Sequence, residues 1–337
     1  MNSKSLLITV LCVLFAAPAF AQNPPAAQGK PPADAGPKIS DDEQKALVKI
    51  NTAPDAGAKL KATTEYFKKY AQSPQRRRVA EHVAGAVDKV ADPNQKIALA
   101  QQYLATFDKP EEAWIIIGPL LDTEVAQNKI ELAFQDGAKY LGKNPEDPRV
   151  LVQLAVFGVI EMQKQNQKYV PQAQQYSTKA LEILEGDKQP AQMDKEGWDT
   201  FRNSSLPKMY QVQGLLAFFS NDKAKAKEKL ENAAGLDQSD PLTFAVLGNI
   251  YDEEYQVAAK EYQSAPPKLR DESLKKAMEK MDQVIENFAR AIAAADGKQQ
   301  YQAMQQQLTQ SLEQYYTFRH QSTKGMKEMI EGFKKKS

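Results

Sequence analysis

An internal period constrains this chain more than any other feature of its sequence. Tyr210, Gly214 and Ala217 are followed by Ala226, Leu230 and Ala233 and then by Asp240-Pro241. Phe244, Leu247, Gly248 and Tyr251 restate the opening pattern, with Gly214 and Gly248 standing 34 residues apart. A bulky residue and a glycine four positions later fall on one face of a helix, where the missing Cβ admits a second helix at short range. Alanines seven apart on that second helix face back toward it. A single hairpin of this kind cannot bury its own apolar stripe, so neighbours must stack.

The rest of the chain reads as helix as well. A mean hydropathy of -0.58 with 26% charged residues requires the apolar side chains to be concentrated on particular faces of a soluble protein. Ser73-Pro74, Asp92-Pro93, Asp147-Pro148 and Asp240-Pro241 each offer a side-chain acceptor at an N-cap and a preset φ at the first helical position, which predicts helix starts. Gly142, Gly186, Gly235 and Gly297 follow apolar-periodic runs and are predicted helix stops. About a dozen helices result, with no segment of sustained alternation to suggest a strand.

Thirty-four residues is the length of the tetratricopeptide repeat. Phe244-x-x-Leu247-Gly248-x-x-Tyr251 resembles the first helix of that family, and Val284, Phe288, Ala291 and Ile292 resemble the second. A stretch including Ser264-Ala265-Pro266-Pro267 lies between them, so this repeat carries an insertion. A looser repeat has Leu151, Leu154 and Ala155 on its first helix and Ala173, Ala180 and Leu181 on its second. Upstream, Glu65-Tyr66-Phe67-Lys68-Lys69-Tyr70 with Ser73-Pro74 is similar to the F-x-K-Y…S-P ending of tetratricopeptide proteins of the bacterial envelope. The resemblance implies an all-α fold of antiparallel helix hairpins in a right-handed superhelical solenoid. Its best repeats are 204–237 and 238–296, with a weaker one at 145–186 and C-terminal capping helices over 298–337.

In that family the first helices of successive hairpins line a concave surface. The resemblance therefore implies that partner-binding residues lie among Lys208, Gln211, Leu215, Ala245, Asn249 and Asp252, with Arg149, Gln153 and Val156 from the weaker repeat. Some members grip a peptide's terminal carboxylate with Lys and Asn at fixed positions. Asn249 occupies one such position, but Leu215 and Val156 at the equivalent ones are apolar, so that clamp is not reproduced. A mixed groove accepting an extended or helical segment is the expectation.

The N-terminus reads as an export signal. Lys4 precedes an apolar run from Leu6 to Ala17, and Ala19-Phe20-Ala21 is a small-x-small site, so residues 1–21 are a predicted signal peptide cleaved after Ala21. A retained anchor is the alternative, although the run is shorter than the roughly 20 apolar residues that span a bilayer. Cys12, the only cysteine, would leave with the signal, so no disulfide is expected in the periplasmic or secreted product. Residues 22–39 are a Pro/Ala-rich linker unable to bury enough surface to order itself. Ser40-Asp41-Asp42-Glu43 has capping-box spacing and opens the repeat domain, 40–337.

Lys and Arg number 44 against 43 Asp and Glu, leaving no global field to attract a polyanion, so no nucleic-acid partner is expected. His82 and His320 are the only histidines and lie far apart, and no metal, dinucleotide, phosphate-loop or nucleophile-elbow motif is present. Asp252, Glu253 and Glu254, the run Arg76-Arg77-Arg78 and Lys334-Lys335-Lys336 read as solvated helix faces, and Trp114 and Trp198 as packing residues. Catalytic residues, cofactors and metals are therefore expected to be none. The expected function is that of a non-catalytic adaptor or scaffold for a protein or peptide of the cell envelope. A structural spacer, or an enzyme with a site near Ser264 to Arg270, are the alternatives.

Overall fold

The computed structural model describes residues 39–334. The predicted signal peptide, its cleavage site and residues 22–38 of the linker lie outside the described residues, as do Lys335 and Lys336. Among the described residues every regular element is helical, and successive helices pack against one another. Two compact units share the chain: residues 39–157 with 186–200, and residues 158–185 with 201–334.

The first unit opens with α1 (Asp41–Thr52), whose N-cap Ser40 accepts a bond from the Glu43 amide at 3.2 Å. It continues through α2 (Ala56–Lys69), α3 (Arg76–Asp88), α4 (Pro93–Thr106), a single turn at Pro110–Ala113, α5 (Ile117–Ala126), α6 (Ile130–Leu141) and the start of α7 (Pro148–Gln163). Ile50, Leu60, Tyr66, Val83, Tyr103 and Phe107 form the centre of its apolar core. Asp92-Pro93 and Asp147-Pro148 begin helices as the sequence predicts. Ser73-Pro74 does not: α3 starts two residues later without a side-chain cap.

The reason lies in a buried polar knot. Ser73 Oγ donates to Glu43 Oε1 at 2.6 Å, and Tyr66 Oη lies 2.7 Å from the same carboxylate and 2.6 Å from Ser73 Oγ. The Glu43 half of the expected capping box is thus diverted, since its carboxylate braces α1 to α2 and the turn before α3 rather than returning to its own helix. Burial, with Glu43 beside it, pushes the Tyr66 hydroxyl up to about 12, so it stays a donor. Tyr66→Phe removes that donor from a buried carboxylate and should destabilise the protein by about 1–2 kcal/mol, read as a lower urea midpoint at unchanged slope.

The second unit contains the end of α7, α8 (Val170–Glu185), most of α9 (Lys195–Phe219), α10 (Lys223–Leu236), α11 (Pro241–Ser264), α12 (Arg270–Ala294), α13 (Gln302–His320) and α14 (Met326–Lys334). The glycines of the period act as contact points. A Cβ on Gly214 would lie 2.6 Å from Leu230 Cγ, and one on Gly248 would run into the Phe288 ring. In the looser repeat the close approach falls at Gly158, where a Cβ would meet that of Ala173 at 2.5 Å. That is one turn beyond Ala155, the position expected from Asp147-Pro148.

The insertion adds only a short 3-10 turn of its own, Pro267–Leu269. It lengthens α11 and α12 to 24 and 25 residues, and Ala258, Ala277 and Met281 are buried along the added length. Gly235 also departs from expectation, lying inside α10 rather than stopping it. Asn128, Gln165, Asp187, Asn221 and Gln321 take positive φ between helices, as does Gly297.

Candidate functional site

The proline at position 207 is unusual because it lies inside α9. Proline cannot donate to the carbonyl one turn earlier, here that of Asn203, so an acceptor is left on that face of the helix. Ser204, Pro207, Lys208 and Gln211 follow one another at helical spacing on this face, and α11 begins opposite at Asp240. Together with Ala233, Asp237 and Thr243 they line a small open cleft of about 50 Å³.

The polar groups of the cleft are organised by the start of α11. Asp240 caps it, accepting from the Leu242 amide at 2.9 Å and the Thr243 amide at 3.3 Å. Its other oxygen receives Lys208 Nζ at 3.3 Å, while Lys208 also reaches Gln211 Oε1 at 2.7 Å. Gln211 Nε2 continues the chain to Thr243 Oγ1 at 2.9 Å. Asp237 closes the far side by accepting from the amide and hydroxyl of Ser239 at 2.8 and 2.7 Å. The lining is therefore rich in acceptors, with one ammonium held at its centre.

Two of the predicted partner-binding residues, Lys208 and Gln211, meet in this cleft. The others are placed differently. Leu215 and Ala245 are completely buried and act as packing residues, not as free groove positions. Asn249 is buried and its Nδ2 meets no acceptor among the described residues. Residues 150, 211–218 and 241–251 are buried without interruption, as are 151–162, so much of α7, α9 and α11 is enclosed on all sides. This includes Val156.

Asp252 accepts from the Tyr315 hydroxyl of α13 and from Gln256 Nε2 at 3.1 Å. Burial first, and then Asp252, drive the Tyr315 hydroxyl well above the ordinary tyrosine range. Glu253 pairs with Lys223 at 2.7 Å, and Glu254 lies between Lys227 at 2.9 Å and Lys280 at 2.6 Å. Burial opposes the charge on Glu254, but the two lysines hold it below the usual carboxylate range. The three consecutive acids thus diverge to separate partners.

In the first unit, Arg149 lies over the Trp114 ring, donates to the Trp114 carbonyl at 3.0 Å and pairs with Asp147 at 3.1 Å. Gln153 is buried and donates to the Gly118 carbonyl at 3.1 Å and to Asp122 at 2.5 Å. Arg76 departs from the reading of 76–78 as a solvated run: it is buried against Phe67 and pairs with Glu112 and Asp108. His82 sits 3.1 Å from Lys59 Nζ, and burial followed by that ammonium lowers its pKa. Trp198 is fully buried, with its ring N–H on Asp187 at 2.6 Å.

Among the described residues no three His, Cys, Asp or Glu side chains converge to hold a metal, and no helix is long and apolar enough to cross a membrane. Ser204, Pro207, Asp237, Asp240 and Thr243 are the cleft residues that sequence reasoning missed. The mid-helix proline four residues before Gln211, with Asp240-Pro241 opposite, was the available signal. No protein-family model matches the chain, and no curated protein is significantly similar to it by sequence.

Proposed function

We propose that this chain is an exported, non-catalytic binding protein of the tetratricopeptide type, which holds a protein or peptide partner in the cell envelope. The 34-residue spacing and the glycine-mediated contacts of Gly214 with Leu230 and Gly248 with Phe288 support the family reading and, with it, a stacked solenoid. The leader-like residues 1–21 support export and a periplasmic or secreted location.

The observation that carries the binding reading is the cleft itself. The positions a peptide groove would use on α9 and α11, Gln211 among them, are buried, whereas Ser204 and Lys208 open onto an acceptor-lined recess. Such a recess suits a partner segment that brings N–H groups or a cationic side chain. The site deletes easily by steric means, because Ser204 is exposed at its edge.

Crosslinking in cells followed by capture of the tagged protein tests this. A short set of partners should be recovered with the wild type and lost with both Ser204→Trp, which fills the recess, and Lys208→Gln, which removes its ammonium. Circular dichroism of both variants should match the wild type. The same partners captured by both variants would reject the cleft, and no partner with any form would favour a structural spacer.

A further inference from the structure

We propose that the carboxyl groups of Glu124 and Asp136 form a proton-operated latch on the α5–α6 hairpin: sharing one proton they tie the two helices together, and loss of that proton opens the hairpin to water. Glu124 is fully buried on α5, and neither of its carboxyl oxygens meets an N–H or O–H donor among the described residues. The group beside it is the Asp136 carboxyl of α6. Asp136 Oδ2 is already occupied by Gln101 Nε2 of α4 at 2.7 Å. The hydrogen bond left to the pair is therefore the one made by a proton shared between the two carboxyls. An ionised Glu124 would stand fully buried with no donor to either oxygen, which burial disfavours.

The surroundings do little to relieve the pair. From α4 come Gln101 and Asn94, both uncharged, and Asn94 holds Lys129 Nζ at 2.7 Å. Lys129, in the loop before α6, is the cation that acts on Glu124, and it favours ionisation. From α7 comes Gln153, uncharged and engaged with Asp122 of α5 at 2.5 Å. Asp122 is itself raised by burial, with Gln153 opposing the rise. Burial first, and then the bond to Asp136 and its charge, outweigh Lys129 and raise Glu124 to about 8.

The sign follows directly. A carboxyl whose pKa is higher in the closed state binds a proton that the open state gives up to solvent. Closure is therefore strongest near pH 4.5 and weakens as the pH rises toward 8. One proton linked to opening increases the open fraction by at most about tenfold per pH unit, or roughly a hundredfold between pH 6 and 8.

Amide hydrogen exchange of the full chain, corrected for the intrinsic pH dependence of exchange, tests the latch over residues 117–141. Protection there should fall by up to about a hundredfold from pH 6 to 8, while α12, which carries no histidine, serves as an unchanged reference. Glu124→Gln removes the proton. Asp136→Asn gives the ionised Glu124 a donor, so both variants should be flat across the range. PH-independent protection in the wild type would overturn the latch, as would a wild-type fall retained in either variant that folds.

Discussion

Gly248→Ala is expected to destabilise the protein by about 2–3 kcal/mol, a large effect for one methyl group. The added Cβ would meet the ring of Phe288, which is 1% exposed and so has nowhere to go. Phe288→Leu in the same chain should return part of that loss, because it removes the ring atoms that the methyl strikes. The double mutant should then be more stable than the sum of the single effects by about 1 kcal/mol or more, measured by urea unfolding. Gly235→Ala is the matched control: it lies inside α10 with nothing within 4 Å of its Cβ, and should stabilise by about 0.5–1 kcal/mol through helix propensity. A destabilising Gly235→Ala, or a neutral Gly248→Ala, would mean that the period does not mark helix contacts.

The second large effect is expected at Arg76. Its guanidinium meets Glu112 through Nε at 2.5 Å and Nη2 at 3.0 Å, and Asp108 through Nη2 at 2.7 Å. The side chains of Arg76 and Glu112 are 10% and 1% exposed, so neither charge has water to fall back on. Arg76→Ala leaves Glu112 buried and unpaired and should cost about 3–5 kcal/mol. Replacing the pair together, Arg76→Met with Glu112→Leu, should recover most of that loss, since an apolar pair needs no mutual compensation. Thermal unfolding of the two variants decides: equal losses in the single and double mutants would show that packing, not the uncompensated charge, dominates.

These two sites differ in how far the sequence announces them. Gly248 is legible because helix contact imposes a residue type at a fixed spacing, and the same logic found Gly214 and the Asp-Pro starts of α4, α7 and α11. Arg76 was not, because its partners Asp108 and Glu112 lie more than thirty residues away and a run of three arginines looks the same whether or not its first member is buried. Ser73-Pro74 misled for a related reason: its hydroxyl answers to Glu43 and Tyr66, contacts that local capping rules do not see. Gly235 was read as a stop because it follows an apolar-periodic run, yet the left-handed turns between helices are taken largely by Asn, Asp and Gln.

The candidate site was half legible. Lys208 and Gln211 were reached through repeat position, but of these only Lys208 is partly exposed, and Gln211, like Leu215, Ala245 and Asn249, is buried. Repeat position fixes the direction of a side chain but not what covers it. The largely apolar text of residues 150–162, broken only by Gln153 and Glu161, was the sign, available in the sequence, that first helices here are enclosed on all sides. Glu124 stands in α5 two residues after Asp122, in a helix that is otherwise largely apolar, and only the placement of Asp136 gives it a role.

Binding through the cleft is the central claim, and site-specific photocrosslinking in the intact cell tests it most directly. A photoreactive residue replacing Ser204, at the cleft edge, should yield a discrete adduct that disappears when Lys208→Gln is added. The same residue replacing Lys275, exposed on the extended part of α12, should yield none. An adduct from position 275 with none from 204 would contradict the account and move the partner surface to the α11–α12 extension.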